Sequence, residues 1–392
     1  MNKANSSALY KIVSAQISNS PRSRITFAEF QDLVLYHPEY GYYASGVVNI
    51  GATGDFYTAS SLGADFGELL AIQFLEMWHH LGCPAHFTLL EMGAGNGNLT
   101  YDVLSYLINN YQEILPFLEY LIVEESPALI KQQQQKLSDF EQININWLNW
   151  SEIDDNSLVG CCFSNELIDA FPVHQIIVNN QEVKEVYLTL NEGKLQEIFE
   201  EISTSEITAY FDLVEIDIYQ KNYPANYRTE VNLNALNWLK TVSSKLKQGY
   251  LITIDYGYSA SKYYHPQRSQ GTLKCYYQHR HHNNPYVNLG QQDITTHVDF
   301  TALENYGKTQ GLESLGLTKL AIFLMSLGIG DRLNNLSNGQ YNALQILQKR
   351  DALHQLINPL GLGGFDVLIQ GKNLNSLPQS LKGLTIPTES IM

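Results

Sequence analysis

The chain has 392 residues with 40 acidic against 24 basic side chains, a net charge of −16. That length can bury a large core in one elaborated domain or two, while the charge argues against polyanion partners, because nucleic-acid binding draws most of its affinity from phosphate neutralisation. No apolar stretch has the length of a membrane span, the N-terminus lacks a secretory apolar core, and Cys83, Cys161, Cys162 and Cys275 show no metal spacing; membrane insertion is not expected, and buried thiols in a reducing cytoplasm are.

In chain order, Leu9, Ile12, Val13 and Ile17 mark an amphipathic first helix. Helical spacing predicts further helices over 65–81, 98–110, 127–138, 230–247, 299–310 and 339–357. Strands are predicted over 87–92, 119–124, 143–147, 158–164, 249–255, 312–317 and 364–369, giving an α/β chain with a mostly parallel seven-stranded sheet and helices on both faces. Residues 172–200 alternate apolar and polar, with turn signals at Asn179-Asn180 and Glu192-Gly193, and read as an antiparallel meander inserted after the fourth strand. Residues 256–298 are rich in Tyr, His and Asn and lack periodicity, which suits a functional loop or lid. Gln132–Gln135 reads as a polar helix face. The expected organisation is an N-terminal covering segment (1–85), the first half of the core (86–171), a β-rich insertion (172–228) and the second half (229–392) with insertions at 256–298 and 319–358.

The most informative run is Leu89–Leu99, LLEMGAGNGNL. An apolar strand ends in Glu91, and glycines follow at 93, 95 and 97 before a helix. A strand, a tight glycine turn and a helix N-terminus form a pocket where backbone comes close to a bound nucleoside. The spacing is E-x-G-x-G-x-G; a dinucleotide turn wants its third glycine where Asn98 stands. Tyr120–Val123 is a second apolar run ending at Glu124-Glu125. An acid at that strand tip can accept both ribose hydroxyls, and Glu124 has that place. The competing reading is a charge capping the helix signalled by Ser126-Pro127, which Glu125 fits better. Trp147 and Trp150 suit either an adenine contact or core packing.

The run Ser164–His174, SNELIDAFPVH, begins where the fourth strand ends, beside the glycine turn. Ligands in such sheets bind at the carboxyl ends of the strands, so Asn165, Glu166 and Asp169 would face the reactive end of the ligand. Glu166 and Asp169 are spaced to share one side of a helical turn. Helix capping by Asn165, with acids in the first turn, is the other reading. In His279, Arg280, His281 and His282, adjacent side chains point apart; a polar loop touching a substrate is favoured, and no metal is expected.

With these motifs the chain resembles the MidA family, methyltransferases related to a mitochondrial complex I assembly factor. The resemblance includes HPEYGYY (37–43), GDFYTASSLGADFGE (54–68), ITIDYGY (252–258), GTLKCYYQHRHHNNPY (271–286) and GQQDITTHVDF (290–300). One departure is Ala59-Ser60, where many members have Ala-Pro. The resemblance implies a Rossmann-like class I methyltransferase fold, S-adenosyl-L-methionine as cofactor, and a protein arginine as acceptor, symmetrically dimethylated on an NADH dehydrogenase subunit; a homodimer is compatible with it. It also implies that Gly54–Ser61 folds over the cofactor, with Asp55 and Thr58 as contacts beside Glu91, Gly93, Ala94, Gly95, Gly97, Glu124 and Asn165. A guanidinium stays protonated below pH ~12, so carboxylates are needed to orient it and accept its proton. That assigns Glu166 as clamp and proton acceptor, Asp169 as support, and Asp293 and His297 as substrate contacts. Other classes stay open: a non-catalytic assembly chaperone, a methyltransferase for another acceptor, and a nicotinamide oxidoreductase, the last disfavoured by the glycine spacing and the second insertion.

Overall fold

The computed structural model describes residues 2–43, 58–278, 280–339, 341–374 and 380–385. Seven strands form the central sheet: β1 (Phe87–Met92), β2 (Leu118–Val123), β3 (Asn144–Trp147), β4 (Leu158–Asn165), β5 (Leu246–Asp255), β6 (Glu313–Lys319) and β7 (Asp366–Lys372). Their order is β6-β7-β5-β4-β1-β2-β3. The pairs among β1 to β5 are parallel, and β7 runs antiparallel to both β5 and β6.

Successive side chains of a strand point to opposite faces, and four neighbouring pairs show how this sequence uses that. Leu89, Cys161, Ile252 and Val367 join one apolar cluster, with Leu70, Phe74 and Leu324 of the helices covering that face. Their neighbours Leu90, Cys162, Leu251 and Leu368 join the other, with Trp238, Leu239, Phe300 and Leu303. A sheet buried on both faces reads as continuous apolar runs, as the central strands here do. The adjacent thiols Cys161 and Cys162 thus lie in separate clusters, and burial raises the pKa of each.

The first insertion is the expected meander, His174–Asn179, Glu182–Asn191 and Lys194–Glu200. Its first turn is Asn180-Gln181, one residue later than the sequence signal, because Asn179 pairs with Glu182. Both hairpin turns place two residues at positive φ, Asn180 and Gln181 in one, Glu192 and Gly193 in the other, which matches the twist of the flanking strands. Ile25–Thr26 and Tyr227–Val231 extend this sheet.

The second insertion differs from the nonperiodic loop expected. It contains a small antiparallel sheet, Lys274–Tyr277, Arg280–His282 and Asp293–Thr295. Strands of three or four residues are too short to show alternation. Buried Glu230 anchors the segment, accepting the N–H groups of Thr272 and Leu273 and the hydroxyls of Thr272 and Tyr263. The helices Asn2–Asn19 and Phe27–Tyr36 cover it, burying Leu9, Phe27 and Phe30 against Leu273, Cys275 and Ile294. The second of these helices begins at a reciprocal cap between Thr26 and Glu29. Both insertions and the N-terminal helices therefore lie at the end of the sheet where the site is built.

Candidate functional site

The turn after β1 holds Gly93, Gly95 and Gly97 at φ of 69°, 54° and 76°. These are left-handed angles, which glycine adopts without the Cβ penalty. The Gly93 N–H donates to the Val123 carbonyl, tying the turn to the tip of β2. A Cβ on Gly93 would stand 2.8 Å from Leu167 Cδ1. Gly93, Ala94 and Gly95 line a cavity of about 960 Å³; Gly97 instead caps the helix Asn98–Asn110.

Glu91 is buried, accepting the hydroxyls of Thr100 at 2.6 Å and Tyr120 at 2.5 Å while lining the cavity. Burial raises its pKa to about 7. Glu124 lines the cavity at the end of β2, accepting the Ser126 N–H at 3.0 Å and the Gln133 amide at 3.3 Å. The capping role weighed for Glu125 is divided otherwise: Ser126 caps the helix Pro127–Lys136, and Glu124 receives the Ser126 N–H. Burial raises the Glu124 pKa against the lowering effect of those bonds.

Gln132, Gln134 and Gln135 are exposed, as a polar helix face requires, but Gln133 departs from that reading and is fully buried. Its Nε2 also donates to the Gly95 carbonyl at 2.8 Å, and its Oε1 accepts the Trp147 indole N–H at 2.8 Å. Trp147 packs against the core, whereas Trp150 lines the cavity. The signal available was spacing: Gln133 follows Leu129 by four residues, on the same buried helix face.

At the end of β4 the chain turns sharply. Glu166 has φ of 51°, and its N–H donates to Ile254 on the neighbouring β5. Only one short 3-10 turn follows, Ile168–Ala170. Glu166 and Asp169 therefore do not share a helical turn, and Asn165 is the last strand residue rather than an N-cap. The reversal nevertheless brings both acids to the cavity. Glu166 Oε1 accepts the Ala59 N–H at 3.4 Å and the Asn165 amide at 3.3 Å. Asp169 Oδ2 accepts the Tyr256 hydroxyl at 2.5 Å. Asn165 Oδ1 and Asp169 Oδ1 are buried without a partner among the described residues. Burial and then the charge of Asp169 raise the Glu166 pKa to about 8; burial, opposed by the Tyr256 bond, raises Asp169 to about 6.

Asp293 and His297 also line the cavity. Asp293 accepts the Tyr43 hydroxyl at 2.8 Å. The His297 ring stacks on Tyr258, centroids 4.8 Å apart, and meets Tyr256 edge-on at 5.1 Å. Burial, Arg268 and Lys274 lower its pKa to about 4, leaving a neutral imidazole at pH 7. Thr58 is buried at the cavity wall, capping the turn Ala59–Ser61; Asp55 and His279 lie outside the described residues. Arg280, His281 and His282 form a strand of the small sheet, and His282 Nδ1 accepts the Asn284 N–H.

The cavity wall is acidic. Glu91 and Glu124 belong to the strand ends beside the glycine turn, and Glu166 and Asp169 to the turn after β4; Asp32, Glu125 and Asp293 also line it, and no lysine or arginine does among the described residues. Sequence reasoning missed Tyr36, Tyr43 and Tyr256 in its wall and Asp255 behind it. Asp255 is the last residue of β5 and Tyr256 follows it, next to β4, where the strand-end rule would have found them.

Residues 69–318 match a family model described as "Putative S-adenosyl-L-methionine-dependent methyltransferase". The chain is 26% identical over 387 residues to "Protein arginine methyltransferase NDUFAF7, mitochondrial" of Danio rerio, spanning 92% of this chain and 85% of that protein. It is 26% identical over 366 residues to the Homo sapiens protein of the same name, spanning 86% and 78%. A crystal structure of a superfamily member from Burkholderia thailandensis, bound to S-adenosyl-homocysteine, is similar with a TM-score of 0.85 and 29% identity, covering 97% of this chain and 95% of that one.

Proposed function

The chain belongs to that S-adenosyl-L-methionine-dependent methyltransferase family, and from this premise we propose that it methylates an arginine side chain of a protein. The relatives named as protein arginine methyltransferases support the arginine acceptor. The finer reading, symmetric dimethylation of an NADH dehydrogenase subunit, follows the family resemblance of the sequence motifs, and a cytoplasmic location follows the thiol pattern of this chain rather than those mitochondrial proteins. One observation carries the acceptor class: the cavity beyond the glycine turn is lined by Glu166 and Asp169 and by no lysine or arginine among the described residues. Buried carboxyls without cationic partners are costly, and a guanidinium supplies the missing charge in a planar fork that carboxylates can grip.

The described residues suit the cofactor. About 960 Å³ is within the range of small-molecule sites, the turn from Gly93 to Gly95 admits close backbone approach, and Glu124 stands at the strand tip where ribose hydroxyls are accepted. S-adenosyl-L-methionine supplies an electrophilic methyl on a sulfonium. Thr58, Glu91 and Asn165 are the remaining cofactor contacts in this reading.

The chain's own part is orientation and proton transfer. Glu166 takes the guanidinium as clamp and Asp169 as support, fixing one nitrogen toward the methyl; alignment of this kind supplies much of the acceleration. A guanidinium carries its charge into the site, lowers the raised pKa of Glu166 and drives it to ionise. The resulting carboxylate accepts the proton the nitrogen loses at or after attack. Asp293 and neutral His297 border the same end and contact the substrate.

The test is calorimetry with S-adenosylhomocysteine followed by transfer of labelled methyl from the cofactor to the cognate NADH dehydrogenase subunit. Binding followed by label on arginine is the expected result. Cofactor binding with no label on that subunit rejects this acceptor, and label on a residue other than arginine rejects the guanidinium reading.

A further inference from the structure

Asp255 ends β5 with a fully buried carboxyl. It has no ion pair with a lysine or arginine among the described residues; its partners are backbone. Oδ2 accepts the N–H of Ile168 at 3.0 Å and of Asp169 at 3.3 Å, and Oδ1 accepts the N–H of Tyr256 at 2.9 Å. Tyr256 then returns its hydroxyl to Asp169 Oδ2 at 2.5 Å. A closed circuit results, from strand end to acid turn to tyrosine and back to the acid side chain. The second insertion holds both members from the far side: the Thr296 N–H donates to the Asp169 carbonyl, and the Val298 N–H to the Tyr256 carbonyl.

The circuit leaves Asp169 asymmetric. Oδ2 is occupied, while Oδ1 is buried without a partner among the described residues. An unpaired buried acceptor costs free energy, and a circuit with several bonds that still leaves that atom open points to a ligand group meant to meet it. We propose that Asp255 and Tyr256 are positioning residues for Asp169: Asp255 anchors the acid turn to β5, and Tyr256 occupies Oδ2, so that Oδ1 alone is presented to a substrate nitrogen. This rests on the reading that Asp169 supports a guanidinium. The Tyr256 hydrogen bond also favours ionised Asp169, opposing the dominant effect of burial.

Tyr256→Phe in the full chain is the test, since it removes the hydroxyl and keeps the ring packed on Phe365 and His297. The expected result is a fall in kcat of about 10- to 100-fold, the range for losing a hydrogen bond to a charged group. S-adenosylhomocysteine affinity stays unchanged, and the acid limb of the pH–rate profile moves to higher pH. In an Asp169→Asn background the same change adds no further loss, because the effect runs through Asp169. A carboxyl-carbon NMR titration of Asp169 in the S-adenosylhomocysteine complex reads the same shift without turnover. An unmoved titration in Tyr256→Phe, or a full additional loss in the Asp169→Asn background, overturns the proposal. A wild-type protein that methylates no arginine yet shows the NMR shift would refute the acceptor and leave the positioning role standing. Asp255→Asn is expected to lower kcat in the same direction; should that variant not fold, the Tyr256 measurements decide alone.

Discussion

Gln133 donates its amide to Glu124 at 3.3 Å, and the same Nε2 reaches the Gly95 carbonyl at 2.8 Å. One buried side chain thus ties the glycine turn to the strand-tip carboxyl, the two features assigned to the nucleoside. Gln133→Leu keeps the approximate volume and removes both of these bonds and the one from the Trp147 indole. The Gly95 carbonyl, the Glu124 carboxylate and the Trp147 indole, all part-buried, lose their Gln133 partner, at up to about 1 kcal/mol each. S-adenosylhomocysteine affinity is expected to fall about tenfold or more by calorimetry. A fall in thermal stability with unchanged affinity would show that Gln133 serves packing only.

Glu166→Gln separates transfer from binding. The amide keeps the size and the acceptor for the Ala59 N–H but cannot take a proton. Removal of a positioned base costs about 10²–10⁴-fold, so methyl transfer is expected to drop by that range. S-adenosylhomocysteine affinity should change little. Equal turnover in the variant removes Glu166 from the reaction.

The same variant carries a stability prediction of definite sign. The Glu166 pKa stands at about 8 in the folded chain, above its ordinary value, because of burial and the Asp169 charge. The folded state therefore holds the proton more tightly than the unfolded state. Its contribution to stability is fully present below the ordinary glutamate pKa and is lost as pH rises through about 8. Glu166→Gln, which has no charge to bury, should melt above wild type at pH 8 to 9. The gap should close toward pH 4 to 5. Scanning calorimetry across that range checks both the sign and the window.

Binding of a cationic acceptor should release protons. Glu166 near 8 and Asp169 near 6 hold protons in part at pH 7, and a guanidinium between them favours both ionised forms. Calorimetry of an arginine peptide with bound S-adenosylhomocysteine, repeated in buffers of different ionisation enthalpy, should show net release near pH 7. His297, lowered to about 4, contributes nothing in that range. Zero release, or uptake, contradicts a carboxyl clamp.

Much of this architecture was legible because the central strands carry long apolar runs and the glycine turn has few alternatives. The strand Phe87–Met92 and the helix Asn98–Asn110 fall where periodicity and turn chemistry place them. The small sheet in the second insertion was not legible, since its strands are three or four residues long and its anchor, Glu230, lies more than 40 residues away. Glu166 and Asp169 were expected to face the ligand from their place after β4, and both line the cavity, but the helical turn assumed for them is absent. A left-handed Glu166 turns the chain there instead, and a glutamate, unlike glycine or asparagine, gives no sequence signal for positive φ. Tyr256 and Asp255 act through contacts to residues 86 or 87 positions earlier, a relation that local pattern does not carry.

Gly93 and Leu167 test the close packing of the glycine turn against the acid turn. A methyl on Gly93 would meet Leu167 Cδ1 at 2.8 Å and would sit on a residue at φ of 69°. Gly93→Ala therefore has two costs, a clash and a backbone penalty of about 1–2 kcal/mol. Leu167→Ala removes the first and leaves the second. Gly93→Ala alone is expected to weaken S-adenosylhomocysteine binding at least tenfold, and the double variant to recover part of that loss. Full recovery would show that space alone demands glycine here, and no recovery would show that backbone conformation alone does. The partial result follows from the strained angle and the close contact acting on the same atom.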